Sequence, residues 1–218
     1  MQHKLLETWD KGNGAINAWL AIPNAITAEI AAMQDFDSVT IDLQHGLNDY
    51  QIALSMLQAV STSDKTAMVR VPWNEPGIIM KLLDAGALGV ICPMINTRAD
   101  AEAFVGACRY TPEGYRSAGP TRAMLIHGAD YIAKANDAVV TLAMIETREA
   151  LENVTDIVAT PGLTGIYVGP SDLSLSLGYG PGMDHTKPEM VAAIMQIRDA
   201  CKAAGIKIGI HCGSTEYA

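Results

Sequence analysis

The sequence has no run of basic residues. Its 15 Lys and Arg are scattered singly against 24 Asp and Glu, for a formal net charge of −9. A face that binds nucleic acid needs clustered cations to displace counterions from phosphates, so nucleic acid is not an expected partner. Long apolar runs are also missing. The longest are strand-sized and interrupted, well short of the roughly 20 residues that span a bilayer, so no membrane partner is expected. The segment from Met1 to Gly14 is polar and charged, without the apolar centre of a secretory leader, and a cytoplasmic location is expected. Cysteine is sparse: Cys92, Cys108, Cys201 and Cys212 lie far apart and form no C-x-x-C pair. That pattern suits neither a disulfide framework nor a zinc site, and implies reduced thiols. What remains is 218 residues, 49% hydrophobic and 18% charged, which predicts one globular domain over residues 1–218 with a full core.

Short apolar strands alternate with amphipathic helical stretches. The strand candidates are Asn17–Pro23, Ser38–His45, Thr66–Pro72, Gly89–Ile95, Ala138–Glu146, Gly165–Asp172 and Lys207–Gly213. Helical spacing marks Ala25–Met33, through Ile26, Ile30 and Met33, and likewise Gln51–Val60 and Pro76–Leu83. Thr97-Arg-Ala-Asp100 reads as a capping box opening a helix that runs to Cys108. Arg148–Val158 and Pro188–Ala204 follow, the latter stopped by Gly205. Near-continuous apolar strands in strict alternation with helices predict a parallel sheet covered by helices. A doubly wound sheet usually carries a glycine-rich phosphate turn after its first strand. Here that strand ends Ala-Ile-Pro-Asn, so the expectation is a (β/α)8 TIM barrel. Only seven strands are counted where a barrel has eight βα units, and the expected chain is a barrel lacking its last βα unit. The longest interval, between Ile95 and Ala138, carries the Gly- and Pro-containing stretch from Tyr110 to Arg122. It is read as an ordered loop of the kind that contributes to active sites.

Several strands carry polar residues where a core strand should be apolar. In Ser38–His45, Val39, Ile41 and Leu43 alternate with Thr40, Asp42 and Gln44; the apolar set faces the helices, which sends Asp42 and Gln44 toward the axis. The same alternation sends Arg70 inward. An inward carboxylate and guanidinium are costly unless they pair or bind something. A plain Asp42–Arg70 ion pair is one reading, and catalysis is the other, because barrel chemistry is done at C-terminal strand ends. Glu146 and Asp172 close the strands Ala138–Glu146 and Gly165–Asp172, one βα unit apart. Two carboxylates side by side repel unless a hard divalent cation lies between them, and with waters and a chelating substrate they make a Mg²⁺ or Mn²⁺ site. The simpler alternatives are a helix cap for Asp172 and an ion pair with Arg148 for Glu146. His45, followed by Gly46, sits beside Asp42 at the mouth of the barrel, while His127, His185 and His211 have no such company and are read as surface or core residues.

Taken in order, Ile41-Asp-Leu-Gln-His-Gly46, Val69-Arg-Val-Pro72, Leu83-Asp-Ala-Gly-Ala87, Pro93-Met94, Arg109-Tyr110 with Pro112 and Gly114, Ile145-Glu-Thr147 and Gly169-Pro-Ser-Asp-Leu-Ser174 closely resemble the HpcH/HpaI aldolase family over nearly the whole chain. The resemblance implies a (β/α)8 barrel, usually a hexamer of dimers with exchanged terminal helices. It further implies a class II pyruvate aldolase acting on 2-keto-4-hydroxy acids, with small-molecule keto acid and aldehyde as partners. By that resemblance the metal ligands fall on Glu146 and Asp172, for Mg²⁺ or Mn²⁺ with Co²⁺ a further candidate. The keto-oxygen donor falls on Arg70 and the proton-transfer residue on His45. Asp42 and Asp84 support that histidine, Asp84 from a neighbouring subunit, and backbone amides at Gly169, Ser171 and Asp172 hold the carboxylate of pyruvate. The chain departs from the family pattern at Gln44, Met144, Thr111-Pro112 and Arg116-Ser117, positions that bear on which substrate is used rather than on reaction class. Two other functions compete: an acyl-CoA lyase of the citrate- or malyl-CoA-lyase kind, and an inactive barrel kept for binding or assembly.

Overall fold

The computed structural model describes residues 3–218. In chain order the elements are α1 (Lys4–Asp10), β1 (Asn17–Leu20), α2 (Ala25–Ala32), β2 (Ser38–Asp42), α3 (Tyr50–Val60), β3 (Thr66–Arg70), α4 (Pro76–Asp84), β4 (Gly89–Cys92), α5 (Arg98–Cys108), α6 (Thr121–His127), α7 (Tyr131–Ala138), β5 (Val140–Ile145), α8 (Arg148–Glu152), α9 (Val154–Val158), β6 (Gly165–Val168), α10 (Pro170–Leu177), α11 (Pro188–Ala204) and β7 (Lys207–Ile210). The strands form one sheet in the order β1-β2-β3-β4-β5-β6-β7. A doubly wound sheet reverses direction at a switch point; this order never does. All seven expected strands are present, each shorter than expected. The interval from Ile95 to Ala138 holds three helices, leaving residues 109–120 as its loop.

By internal contacts the chain falls into two compact units, Met1–Val90 with Gly106–Val140, and Ile91–Val105 with Thr141–Ala218. In the first, β1, β2 and β3 pair in parallel, with Trp19 opposite Thr40 and Asp42 opposite Arg70. Strand parity therefore sorts Trp19, Thr40, Asp42, Met68 and Arg70 onto one face, and Ala18, Val39, Ile41, Ala67 and Val69 onto the other. Helices α2 and α3 are begun by Asn24 and Asp49, whose side chains accept the Ile26 and Ile52 amides, and bury Ala28, Ala32, Ala53, Met56, Leu57 and Val60. In the second unit, β5, β6 and β7 pair in parallel, Met144 opposite Tyr167 and Tyr167 opposite Gly209. Asp100 and Thr97 form the expected reciprocal cap: the carboxylate accepts the Thr97 amide at 2.9 Å, and the Thr97 hydroxyl accepts the Asp100 amide at 3.1 Å. No disulfide joins the cysteines among the described residues, and no helix of those residues is long and apolar enough to cross a membrane.

His3 fastens α1 to the first unit. The Ala138 carbonyl can only accept, so His3 Nε2–H donates to it at 3.0 Å; in the neutral ring Nδ1 then accepts from the Thr66 hydroxyl at 2.9 Å, which itself accepts the Leu5 amide at 2.9 Å. Burial holds the His3 imidazole below its ordinary pKa, and burial does the same at His127. Both are neutral in the fold, so between the folded and unfolded pKa values the unfolded chain binds more protons. Their stabilisation is present above about pH 6.5 and is lost as pH falls through the folded values. The thermal midpoint, followed by circular dichroism, should fall between pH 7.5 and 5.5, before carboxylates titrate, and His3→Gln should flatten that slope. A wild-type midpoint independent of pH over this range would refute the assignment.

Candidate active-site residues

In the first unit the polar face of β1–β3 ends in a tight cluster around Asp42. Its carboxylate is 2% exposed and takes a two-pronged contact from Arg70, Nε to Oδ1 at 2.8 Å and Nη2 to Oδ2 at 2.5 Å. Trp19 Nε1 donates to Oδ2 at 3.2 Å, and the amides of Gln44 and His45 donate to Oδ1 at 3.0 and 3.4 Å. The Arg70 guanidinium lies 4.8 Å from the Trp19 ring centroid, a cation–π contact. Burial pushes the Asp42 carboxyl up, but the Arg70 guanidinium and the Gln44 and Trp19 donors outweigh it, and the net direction is down. The ion pair expected as the simpler reading is therefore formed. It leaves Arg70 Nη1 with no protein hydrogen bond among the described residues.

Capture of two successive amides by Asp42 also explains why β2 stops there. The turn that follows requires glycine, since a Cβ on Gly46 would lie 2.2 Å from the Asp42 carbonyl. Asn48 braces it by donating to the carbonyls of Asp42 and Leu20 at 2.8 and 3.1 Å. His45 is exposed, tied to Asp42 through its backbone amide and not its ring. Asp84, the last residue of α4, is engaged elsewhere: Arg116 Nη2 donates to its Oδ1 at 2.7 Å, and that guanidinium sits 4.5 Å from the Tyr110 ring and 5.5 Å from that of Tyr131.

The second unit carries the other two acids. Glu146 follows β5 directly, is 2% exposed, and its Oε1 accepts the Met94 amide at 2.7 Å. Met94 is the only non-glycine residue with positive φ, 55°, among the described residues, a costly conformation that points to local constraint. A Cβ on Gly169 would lie 2.5 Å from Glu146 Oε2 and 3.0 Å from Met144 Cε, so glycine there is what lets the carboxylate lie over the start of the next element. Arg148 does not pair with Glu146; its Nη2 donates to the Leu177 carbonyl at 3.1 Å. Asp172 differs from expectation: β6 ends at Val168, Gly169 caps α10, and Asp172 is an exposed residue of the helix's first turn. It is not the cap either. The amides of Ser171 and Asp172 lie in that first turn, where backbone N–H groups lack intrahelical acceptors and suit an anion.

A buried carboxylate over a bare glycine, with a second on the neighbouring element, is a donor set of hard oxygens and fits a hard divalent cation. No group of three or more His, Cys, Asp or Glu placed to hold a metal occurs among the described residues, so two carboxylates would need oxygens from water or substrate. Sequence reasoning missed Trp19 and Asn48, and it named Met94 only within a motif, without a role. Trp19 shares parity with Asp42, so the alternation that singled out Asp42 could have found it.

These features define an α/β protein of sequential strand order that carries buried charged residues at C-terminal strand ends in each of its two units. The chain belongs to the HpcH/HpaI aldolase/citrate lyase family, whose pattern matches residues 16–212. It is 44% identical over 216 residues to a hydroxypyruvate/pyruvate aldolase of Rhizorhabdus wittichii, covering 99% of this chain and 86% of that protein. It is 38% identical over 213 residues to a 4-hydroxy-2-oxo-heptane-1,7-dioate aldolase of Salmonella paratyphi C, covering 94% and 80%. Among solved structures, a HpcH/HpaI aldolase/citrate lyase family protein of Burkholderia cenocepacia superposes with a TM-score of 0.90 at 30% identity, covering 99% of this chain and 86% of that one.

Proposed function

We propose that this protein is a divalent-metal-dependent aldolase on a (β/α)8 barrel scaffold, making or breaking the C3–C4 bond of 2-keto-4-hydroxy acids. The products of cleavage are pyruvate or hydroxypyruvate and an aldehyde. Family membership over nearly the whole chain supports the reaction class. The observation that carries the residue-level reading is the buried Glu146 carboxylate lying over Gly169.

Glu146 and Asp172 would hold Mg²⁺, Mn²⁺ or Co²⁺, which when bound supplies Lewis acidity to the oxygens of the keto acid. The first-turn amides of Ser171 and Asp172, beside Gly169, receive the substrate carboxylate. Arg70, fixed by Asp42, donates to the keto oxygen, where negative charge grows as the bond breaks. His45 moves the C4 hydroxyl proton through a water, taking it in cleavage and returning it in addition. Asp42 acts by orienting Arg70 and the His45 turn. Asp84, its side chain 33% exposed, supports His45 across a subunit boundary in a homo-oligomer, a hexamer by resemblance.

The deciding assay is pyruvate release from a 4-hydroxy-2-keto acid with added Mn²⁺, after chelation and without it. Turnover that ignores chelation would sink the metal-dependent reading, and turnover confined to acyl-CoA substrates would favour the lyase alternative. Borohydride should trap no pyruvate adduct on any lysine. Lys65 is paired with Asp64 at 3.1 Å and the Lys81 ammonium lies over the Tyr50 ring at 4.5 Å, so both are engaged within the protein. A stable mass increase on a lysine would mean Schiff-base chemistry.

A further inference from the structure

Asp84 stands where a carboxylate is unwelcome. It is the last residue of α4, and the unsatisfied carbonyls of a helix C-terminus carry partial negative charge that disfavours an anion. The cation that holds it comes from the loop after α5, 32 residues further along the chain: Arg116 Nη2 donates to Asp84 Oδ1 at 2.7 Å. The Arg116 side chain is 0% exposed and that of Asp84 33% exposed, the latter on the wall of a groove between α3, α4 and α6. A fully buried guanidinium is thus joined to a carboxylate that can be reached from outside.

Arg116 itself has little freedom. Its Nη1 donates to Tyr131 Oη at 3.1 Å, its guanidinium lies 4.5 Å from the Tyr110 ring centroid, and its amide donates to the Arg109 carbonyl at 2.9 Å. The loop closes tightly before it, since a Cβ on Gly114 would lie 2.4 Å and 2.5 Å from the carbonyls of Gly106 and Arg109. A buried guanidinium needs a counter-charge, and Asp84 makes the one carboxylate contact that Arg116 has among the described residues. Oδ1 of Asp84 is thereby fixed, while Oδ2 has no protein hydrogen bond among the described residues. One oxygen clamped and the other open suits a carboxylate that orients a third group.

We propose that Arg116 is a positioning residue for Asp84: anchored by Tyr131 and Tyr110, it holds one carboxylate oxygen and so presents the other to a neighbouring subunit's His45. The inference rests on the proposed role of Asp84 as the support of that histidine. Arg116 touches no reacting atom and acts only through Asp84. Its loss should therefore affect proton transfer at the C4 hydroxyl and leave enolate formation alone.

The test compares two rates, with saturating Mn²⁺, in wild type, Asp84→Asn, Arg116→Met, Arg116→Lys and the double variant Asp84→Asn with Arg116→Met. One is cleavage of a 4-hydroxy-2-keto acid, which needs the proton transfer assigned to His45. The other is exchange of the methyl protons of pyruvate, which does not. Arg116→Met should lower kcat for cleavage on the order of 10²-fold, the cost of a small displacement of a reacting group, with KM and exchange within about threefold of wild type. Arg116→Lys keeps the charge but cannot reach both Tyr131 and Asp84, so it should lose about tenfold in kcat with exchange again retained. It carries the test if Arg116→Met does not fold. The double variant should cleave no more slowly than Asp84→Asn, because Arg116 then has nothing to position. Melting temperature and oligomeric mass report folding and assembly. Wild-type cleavage in the folded Arg116 variants, cleavage and exchange falling together, or losses that multiply in the double variant would overturn this inference and leave the Asp84 reading standing. Asp84→Asn cleaving at the wild-type rate would overturn both, with the aldolase reading intact.

Discussion

Glu146→Gln should abolish metal-dependent turnover and leave the protein folded. The substitution removes the charge but keeps a carbonyl oxygen that can still accept the Met94 amide, the contact that fixes this carboxylate at 2.7 Å. Its fit over Gly169 also survives, since the two side chains have nearly the same shape. Asp172→Asn should have the same effect on activity with even less consequence for stability. Asp172 is exposed in the first turn of α10, where a negative charge contributes only about 0.3–1 kcal/mol through the helix dipole. The decisive readouts are Mn²⁺ binding by calorimetry and pyruvate release after chelation and readdition of metal. Near-normal activity in either variant, or Mn²⁺ bound as tightly as by wild type, would remove the two acids from the metal site.

The parts of the fold that could be read from sequence are those that announce their beginnings. Helices α2, α3, α4 and α8 open on Asn24, Asp49, Glu75 and Thr147, each accepting backbone amides, and α5 on the Thr97–Asp100 box. Helices α1, α6, α7 and α10 have no such side-chain cap; the first three were not expected, and α10 was foreseen only as the alternative in which Asp172 caps a helix. Helix α11 lacks one too, but 17 residues of helical periodicity ending in Gly205 compensate. Arg148–Val158 is two short helices meeting at Asn153, a break that apolar spacing does not reveal.

The strands ran too long in expectation for a related reason. Polar residues at strand ends turn the backbone out of the ladder, as Asp42 does by taking the Gln44 and His45 amides, while side-chain alternation continues past the last ladder bond. The site was legible as far as parity reaches. Parity put Asp42 and Arg70 on one face, and the register confirms them as opposite neighbours. It could not show that Asp172 had already entered a helix, nor that Arg116, 32 residues beyond Asp84, would come to hold it.

Arg70 is the residue whose loss should harm the chemistry most. Its Nε and Nη2 are held on Asp42, which fixes the guanidinium and leaves Nη1 as the donor proposed to reach the keto oxygen. A pre-oriented donor to an oxygen that gains charge in the transition state typically contributes on the order of 10²–10³ in rate. Arg70→Lys keeps the charge but cannot both grip Asp42 in two places and present a third nitrogen, so it should restore little. The cleanest measurement is exchange of the methyl protons of pyruvate, which needs the enolate but no aldehyde. Both variants should slow it by about the factor above. Stability must be followed alongside, because Arg70→Ala leaves a buried, ionised Asp42 unpaired at a cost of about 3–5 kcal/mol, a large share of the ~5–15 kcal/mol that holds a domain together. Asp42→Asn combined with Arg70→Ala removes that stranded charge and separates the two effects. If Arg70 served only to neutralise Asp42, Arg70→Lys would exchange protons nearly as fast as wild type, and the loss in Arg70→Ala would track its melting temperature. Wild-type exchange in a stably folded Arg70→Ala would end the catalytic role proposed for it.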